Sequence, residues 1–261
     1  MEVLLSGLGK TPFRIRKTYI LLPAYNEAPS LARLIPRITQ QLSTAGRSFE
    51  VIVVNDGSSD NSSQTLHAMP PTNHVRELRH EINRGYGAAL RTAFLWVAQN
   101  ASSEDAAVSL DADNTHDPAY IPAMLQKLEE GFIGVTASYT MPGGHAIGVP
   151  WMRRMMSFWI NAWFRSSVGL PGIDTYTNGF RAYRASAIWA VQQKYQEHLI
   201  DETGFPGGVE FFLKVAGLKQ PLTEIPFDLH YEQRGDQSKI RLGETIRKYL
   251  HLLSKGKAYA R

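Results

Sequence analysis

The chain has 261 residues, 43% hydrophobic and 20% charged, with 28 Lys and Arg against 24 Asp and Glu for a net charge of +4. This length can bury one large core or two small ones, and the mild basic excess fits a solvated cationic face. The absence of cysteine excludes a disulfide framework, a thiolate metal site and a cysteine nucleophile, and it fits the cytoplasm.

Residues 1–17, MEVLLSGLGKTPFRIRK, read as an N-terminal arm. An acid at position 2 and a short apolar patch do not make a signal peptide. TYILLPA, 18–24, reads as a buried strand. A loop and a helix follow, with Leu31, Leu34, Ile35 and Ile38 at helical spacing and Gly46 near the stop. FEVIVVND, 49–56, is a β-branched run without polar interruption, as in a strand covered on both faces. GSSDNS is turn chemistry, SQTLHAM is helical, and HVRELRH is a short strand. GYGAALRTAFLWVAQN opens on glycines and continues as an amphipathic helix, and AAVSLDAD is again a strand. Strand and helix alternating at this pace predict an α/β fold, a parallel sheet with right-handed crossovers.

Ligands in open parallel sheets bind beyond the carboxyl ends of the strands. Three strands here run into acids: Glu27, Asp56, and the pair Asp111 and Asp113. Such a crevice calls for positive charge among them. Residues two apart in an extended segment face one side, so Asp111 and Asp113 offer hard oxygen ligands for Mg²⁺ or Mn²⁺; the competing reading is a solvated acidic loop. His116 is either a metal or acceptor-side group or a local hydrogen-bonding residue. Asp117, before Pro118, reads as a helix cap. NRGYGAA, 83–89, opens a helix whose N-terminus favours anions, with tight packing as the alternative. Leu90 breaks the dinucleotide-binding glycine pattern, and the phosphate-binding lysine pattern is absent.

TMPGGHAIGVP, 140–150, separates two chemically different halves and reads as a loop rather than a domain boundary. In WMRRMMSFWINAWFRSSV, 151–168, Met152, Met155, Met156, Trp159, Ile160 and Trp163 share one helical stripe, with Arg153, Arg154, Ser157, Asn161 and Arg165 largely opposite. That is an amphipathic helix. The stripe suits either a core or a bilayer interface. A second basic amphipathic helix closes the chain. No stretch reaches about 18 uninterrupted apolar residues, so no membrane span is expected. Basic residues are not interleaved with aromatics in a patch suited to nucleic acid.

LLPAYNE, VIVVNDGSSDNS, NRGYGAA and DADNTHDP, in that order, resemble a family 2 glycosyltransferase with the GT-A fold, whose Rossmann-like, mostly parallel sheet is flanked by helices. The later segments WMRRMMS, NGFRAY, GFPGGVEFF and RGDQSK resemble the dolichyl-phosphate mannosyltransferase, or polyprenyl-phosphate glycosyltransferase, branch. The resemblance spans roughly residues 18–250. It implies a catalytic domain at 18–240, with the basic helix 241–261 on or beside it. Pro23, Ala24, Tyr25 and Glu27 would surround the nucleotide, and Asp56 would accept hydrogen bonds from the base. Asp111 and Ala112 would hold the ribose or metal, and Asp113 would ligate the metal. Arg234, Ser238 and Lys239 would close over the diphosphate. Arg153 and Ser157 would bind the acceptor, and Glu210 would lie in the active site. Three positions depart from the branch. Thr115 stands where it usually has a metal-ligating glutamine, Ser138 where it often has an arginine, and Thr175 where it usually has an aspartate.

The resemblance implies an inverting transfer of a hexose from GDP-mannose or UDP-glucose to polyprenyl phosphate at the cytoplasmic membrane face, with Asp113, Arg234 and Glu210 at the reaction centre. A lipid phosphate needs no base. A saccharide acceptor, the alternative, needs one, and Asp201, Glu202 and Glu210 are the candidates. A non-catalytic module that binds sugar nucleotides is a third reading.

Overall fold

A computed structural model describes residues 14–234 and 242–259. Among these the strands are β1 (Thr18–Ala24), β2 (Phe49–Asp56), β3 (Val75–His80), β4 (Ala106–Ser109), β5 (Gly134–Ser138), β6 (His145–Ile147), β7 (Arg181–Arg184), β8 (Leu222–Pro226) and β9 (Asp228–His230). The helices are α1 (Ala28–Thr44), α2 (Ser62–His67), α3 (Tyr86–Asn100), α4 (Ile121–Glu129), α5 (Trp151–Ser167), α6 (Ala185–Tyr195), α7 (Gly207–Ala216) and α8 (Leu242–Tyr259).

Seven strands form one sheet in the order β3-β2-β1-β4-β7-β5-β8. All neighbours run parallel except β7, which is antiparallel to both β4 and β5. The predicted mostly parallel α/β sheet flanked by helices is present. Side chains alternate across it as strand geometry requires. Tyr19, Leu21, Ile52 and Val54 pack with α3, α6 and α7 on one face. Ile20, Leu22, Val51 and Val53 pack with α1 and α4 on the other. Leu31, Leu34, Ile35 and Ile38 of α1 are fully buried, each stabilising by roughly 1.5–3 kcal/mol relative to exposure.

The register positions the site. Ala24 pairs with Asn55 and Leu21 with Ser109, so β1, β2 and β4 end at a common edge. Arg181 also pairs with Ser109. The antiparallel β7 therefore begins where its neighbours end, and residues 175–180 arrive at the same edge. The segment read as a loop, 140–150, instead contains β6, which pairs with β9 in a parallel ribbon. Leu229 of β9 in turn bridges His116, so the ribbon is fastened beside the Asp111–Asp113 turn.

Helix α5 packs Ile160 and Phe164 into the core but leaves much of its apolar surface outside. Trp151, Met152, Met155, Phe158, Trp159 and Trp163 are 43–70% exposed. Its polar Asn161 is buried and Ser157 half-buried, turned to the protein with Arg153. Tyr249 and Leu252 of α8 enter the core beside it, while Ile246 and Leu250 extend the exposed apolar surface. Among the described residues no helix is long and apolar enough to cross a membrane.

Candidate active site

A cavity of about 760 Å³ opens at the common strand edge. Pro23, Ala24, Tyr25 and Glu27 line it after β1, Asp56 at the end of β2, and Asp111, Ala112 and Asp113 after β4. Arg153, Ser157 and Arg234 line its remaining walls. Ser238 and Lys239 lie outside the described residues.

The two aspartates do not sit on an extended segment. β4 stops at Ser109, and a turn presents both carboxylates. The turn closes through Asn114 at φ 65°, a left-handed conformation that asparagine tolerates better than most residues. Asp111 Oδ1 accepts a hydrogen bond from Tyr86 Oη at 3.0 Å. Burial pushes the Asp111 carboxyl above the ordinary aspartate range, and neighbouring Asp113 adds to the shift. Asp113 Oδ1 accepts from the Thr115 hydroxyl at 2.7 Å, and its Oδ2 lies 3.6 Å from Arg234 Nε. Thr115 thus braces Asp113. His116 takes its local role: buried and stacked on Phe180, it accepts the Asp111 N–H at Nδ1, 3.1 Å away. Asp117 accepts from the Ala119 N–H and caps the turn before α4. Gly179 leaves room for the Tyr86–Asp111 contact, since a Cβ would stand 2.8 Å from Tyr86 Oη and 3.2 Å from Asp111 Oδ1 and would displace one or both.

Asp56 lines the cavity, yet most of its hydrogen-bonding capacity is spent within the protein. Its Oδ1 meets His80 Nδ1 at 2.6 Å and accepts the Arg84 N–H at 2.9 Å; its Oδ2 accepts the Gly85 N–H at 2.8 Å. A carboxylate has about four acceptor sites, so one direction is left. Asp56 thus occupies two amides of the turn just before α3, the helix start considered as an anion site. The next glycine answers to packing: the Gly87 N–H donates to Thr203 O at 2.7 Å, and a Cβ there would stand 2.0 Å from Glu202 O.

At the opposite wall the Tyr231 ring has two guanidinium neighbours, Arg153 at 5.5 Å and Arg234 at 5.6 Å from its centroid. Ser157 Oγ joins a hydroxyl cluster with Tyr139 Oη at 2.6 Å and Thr177 Oγ1 at 2.9 Å. The departing residues Ser138 and Thr175 touch each other, hydroxyl to hydroxyl, at 2.6 Å. Both are fully buried, so the two changes fall on one internal point beneath the cavity wall.

Glu210 is not at the cavity. Its Oε1 is 2.6 Å from Lys214 Nζ, and its Oε2 accepts the Asp201 and Glu202 N–H groups at 3.0 and 2.8 Å. Its expected place in the active site is corrected by this geometry: one helical turn separates it from its counter-ion, and together they fill a buried slot under the 201–202 loop. Asp201 pairs with His198 at 2.9 Å and Glu202 with Lys248 at 2.9 Å. Neither lines the cavity.

The profile of Glycosyl transferase family 2 matches residues 19–192, more than half of the chain. The chain belongs to glycosyltransferase family 2. It is 26% identical to the polyprenol monophosphomannose synthase of Mycolicibacterium smegmatis, over 88% of this chain and 84% of that one. It is 28% identical to the undecaprenyl-phosphate mannosyltransferase of Micrococcus luteus, over 83% and 84%. A crystal structure of glucosyl-3-phosphoglycerate synthase from Mycobacterium tuberculosis, in complex with Mn²⁺, UDP and glucosyl-3-phosphoglycerate, shares the GT-A fold. Its TM-score is 0.62 at 17% identity, over 93% of this chain and 80% of that one.

Several cavity residues of this glycosyltransferase escape a reading of its sequence. Tyr86, Tyr139, Tyr231, Arg181 and Lys248 all line the cavity. Tyr86 lies inside the glycine-rich loop, where the glycines draw notice and the tyrosine does not. Arg181 stands in NGFRAY and is 1% exposed. It donates to the carbonyls of Gly208 and Tyr176 and sits 4.4 Å over Phe212. Lys248 and Tyr249 reach the cavity from α8, with no local motif to mark them.

Proposed function

We propose that the protein is an inverting hexosyltransferase that moves a sugar from GDP-mannose or UDP-glucose to the phosphate of a polyprenyl phosphate. The observation that carries this reading is the position of the three carboxylates available to a hydroxyl acceptor. None of the three lines the cavity: Asp201 and Glu210 are paired away from it, and Glu202 is neutralised at its edge by the ion pair with Lys248. A hydroxyl acceptor needs a base within hydrogen-bond reach; an ionised phosphate needs none. Among the described residues the lining carboxylates are Glu27, Asp56, Asp111 and Asp113, all at the strand edge assigned to the donor. The names of the relatives agree with a polyprenyl-phosphate acceptor. An apolar flank of Met156, Ile160, Val209 and Tyr249 suits the first part of an isoprenoid chain.

In the transfer, an acceptor phosphate oxygen attacks the anomeric carbon opposite the leaving group. The new bond forms as the bond from that carbon to the diphosphate oxygen breaks, and the nucleoside diphosphate leaves with the electron pair. No proton has to move. Arg153 and Ser157 orient the acceptor phosphate, and Arg234 is placed to meet charge developing on the diphosphate. Asp56 holds the 84–85 turn and offers its remaining acceptor direction to the base.

Asp111 and Asp113 fit a divalent cation. Two hard carboxylates presented by one turn at the cavity, with water and substrate phosphate completing the shell, suit Mg²⁺ or Mn²⁺. Among the described residues no third His, Cys, Asp or Glu joins them. When bound, the ion would neutralise diphosphate charge.

Contact with the membrane surface through α5 belongs to the same reading. Its exposed tryptophans, methionines and phenylalanine match an interfacial helix. The test is a partition assay with Mn²⁺ or Mg²⁺, each labelled donor, and polyprenyl phosphate. Label in the organic phase, dependent on lipid and metal, is the expected result. Donor consumed only with added saccharides would replace the acceptor. Nucleotide binding without turnover on any acceptor would leave a binding module.

A further inference from the structure

A second cavity, of about 730 Å³, lies along the next face of α5 and does not reach the Asp111–Asp113 turn. Arg154 and Arg165 stand on its helical side, with Met155 and Phe158 at its rim; His145 of β6 and Asp174 of the loop before β7 close it. Arg154, Phe158 and Arg165 fall on one stripe of α5. Both arginines are exposed. Helix α5 itself carries no acidic residue. The acid in the groove, Asp174, lies 3.4 Å from Arg165 across a pair whose side chains are 62% and 40% exposed. Such a pair is weak and readily exchanged. His145 is held by Asp228 at 2.7 Å.

We propose that this groove seats the phosphodiester headgroups of anionic glycerophospholipids. The inference rests on the reading of α5 as a membrane-facing helix and adds to it a lipid class and a pair of residues. Met155 and Phe158 continue directly into Trp151, Met152, Trp159 and Trp163, the exposed apolar face. Once that face enters the boundary between headgroups and acyl chains, the arginines at its edge lie at headgroup depth, their stems on apolar surface and their guanidiniums among phosphates. The two are three turns apart, about 16 Å along the axis, so each takes its own headgroup. Among the residues that line the groove two arginines face one carboxylate, Asp174, and that excess complements an anionic leaflet. Arg153, which faces the catalytic cavity, is not part of this set.

The test is sedimentation of the full chain with vesicles of phosphatidylcholine, and of phosphatidylcholine with about 30% phosphatidylglycerol. Each arginine at an anionic surface is worth about five-fold in binding, so the pair accounts for roughly 20- to 30-fold. The variant R154Q/R165Q is expected to lose that gain while binding neutral vesicles as the parent does and keeping its nucleotide affinity. A control, R33Q/K194Q, carries the same change in charge on α1 and α6 and is expected to keep the gain. Retention of the gain by R154Q/R165Q, or an equal loss in the control, would overturn the headgroup site. Equal binding of the parent to both vesicles would also overturn it while leaving α5 as a membrane helix. Binding to neither would remove both.

Discussion

Replacing Asp56 by asparagine separates its role as a brace from its role toward the donor. The aspartate takes three donors: His80 Nδ1 and the Arg84 N–H on one oxygen, the Gly85 N–H on the other. Asparagine offers one carbonyl oxygen and one NH₂ group. With the NH₂ in the Oδ2 position it opposes the Gly85 N–H. Turned the other way it opposes the Arg84 N–H, although His80 can change tautomer to suit it. One backbone donor is left facing a donor in either case, and the charge assistance to the surviving bonds is gone. Together these cost about 2–3 kcal/mol. For a domain of this size that is a fall in melting temperature on the order of 5–10 °C. Thermal unfolding followed by circular dichroism, with and without nucleoside diphosphate, measures it. If Asp56 also takes the base, saturating nucleotide stabilises the parent more than D56N, and the gap widens. A D56N protein that melts within about 2 °C of the parent would refute the bracing argument.

Other substitutions test other contacts. Glu210→Gln leaves the fully buried Lys214 without its counter-ion, so a stability loss of about 3–5 kcal/mol is expected, read by denaturant unfolding, with turnover per folded molecule little changed; a large loss of turnover at full stability would return Glu210 to the chemistry. Gly179→Ala should cripple donor binding through its 2.8 Å approach to Tyr86 Oη, and Tyr86→Phe should relieve part of that, giving a coupling of about 0.5–3 kcal/mol in a double-mutant cycle. The Glu129 carboxyl is held below the ordinary glutamate range, first by hydrogen bonds from Arg47. A depressed carboxyl stabilises above its unfolded value near 4.3 and loses that contribution as pH falls through the folded value. Glu129→Gln should therefore cost about 1–2 kcal/mol at pH 7, with the difference closing below about pH 4 in urea titrations. Phe158→Ser with Trp159→Ser should weaken vesicle binding without moving the melting temperature, because both side chains are exposed.

The first half is legible because its elements announce themselves locally. VIVVND and AAVSL are apolar runs that stop on acids, and parallel strands that stop together make a crevice. The acid pair stands at that edge with a geometry the spacing does not give: a turn through Asn114, not an extended strand, brings the carboxylates together. The later half resists for physical reasons. RAYR and LTEIP are short strands whose residues carry no clear period, and HAI is too brief to stand out from its glycines. Helix α5 displays two faces in sequence, but which face turns inward is decided by Tyr139, Thr177 and Arg153's neighbour Tyr231, all distant along the chain. Glu210 carries a local sign of its structural pairing, a lysine four residues on at the spacing of a helical ion pair. Lys248 and Tyr249 join the cavity only because α8 packs back across α5 and α7.

The outward apolar face of α5 also governs how the protein behaves away from any bilayer. Trp151, Met152, Met155, Phe158, Trp159 and Trp163 form a sticky band that water disfavours. In plain buffer another copy of the same band is the readiest cover. Handling in aqueous solution should therefore give concentration-dependent clusters that a mild detergent disperses, and activity per molecule should rise as they come apart, because the cavity wall formed by Arg153 and Ser157 is on the flank of that same helix.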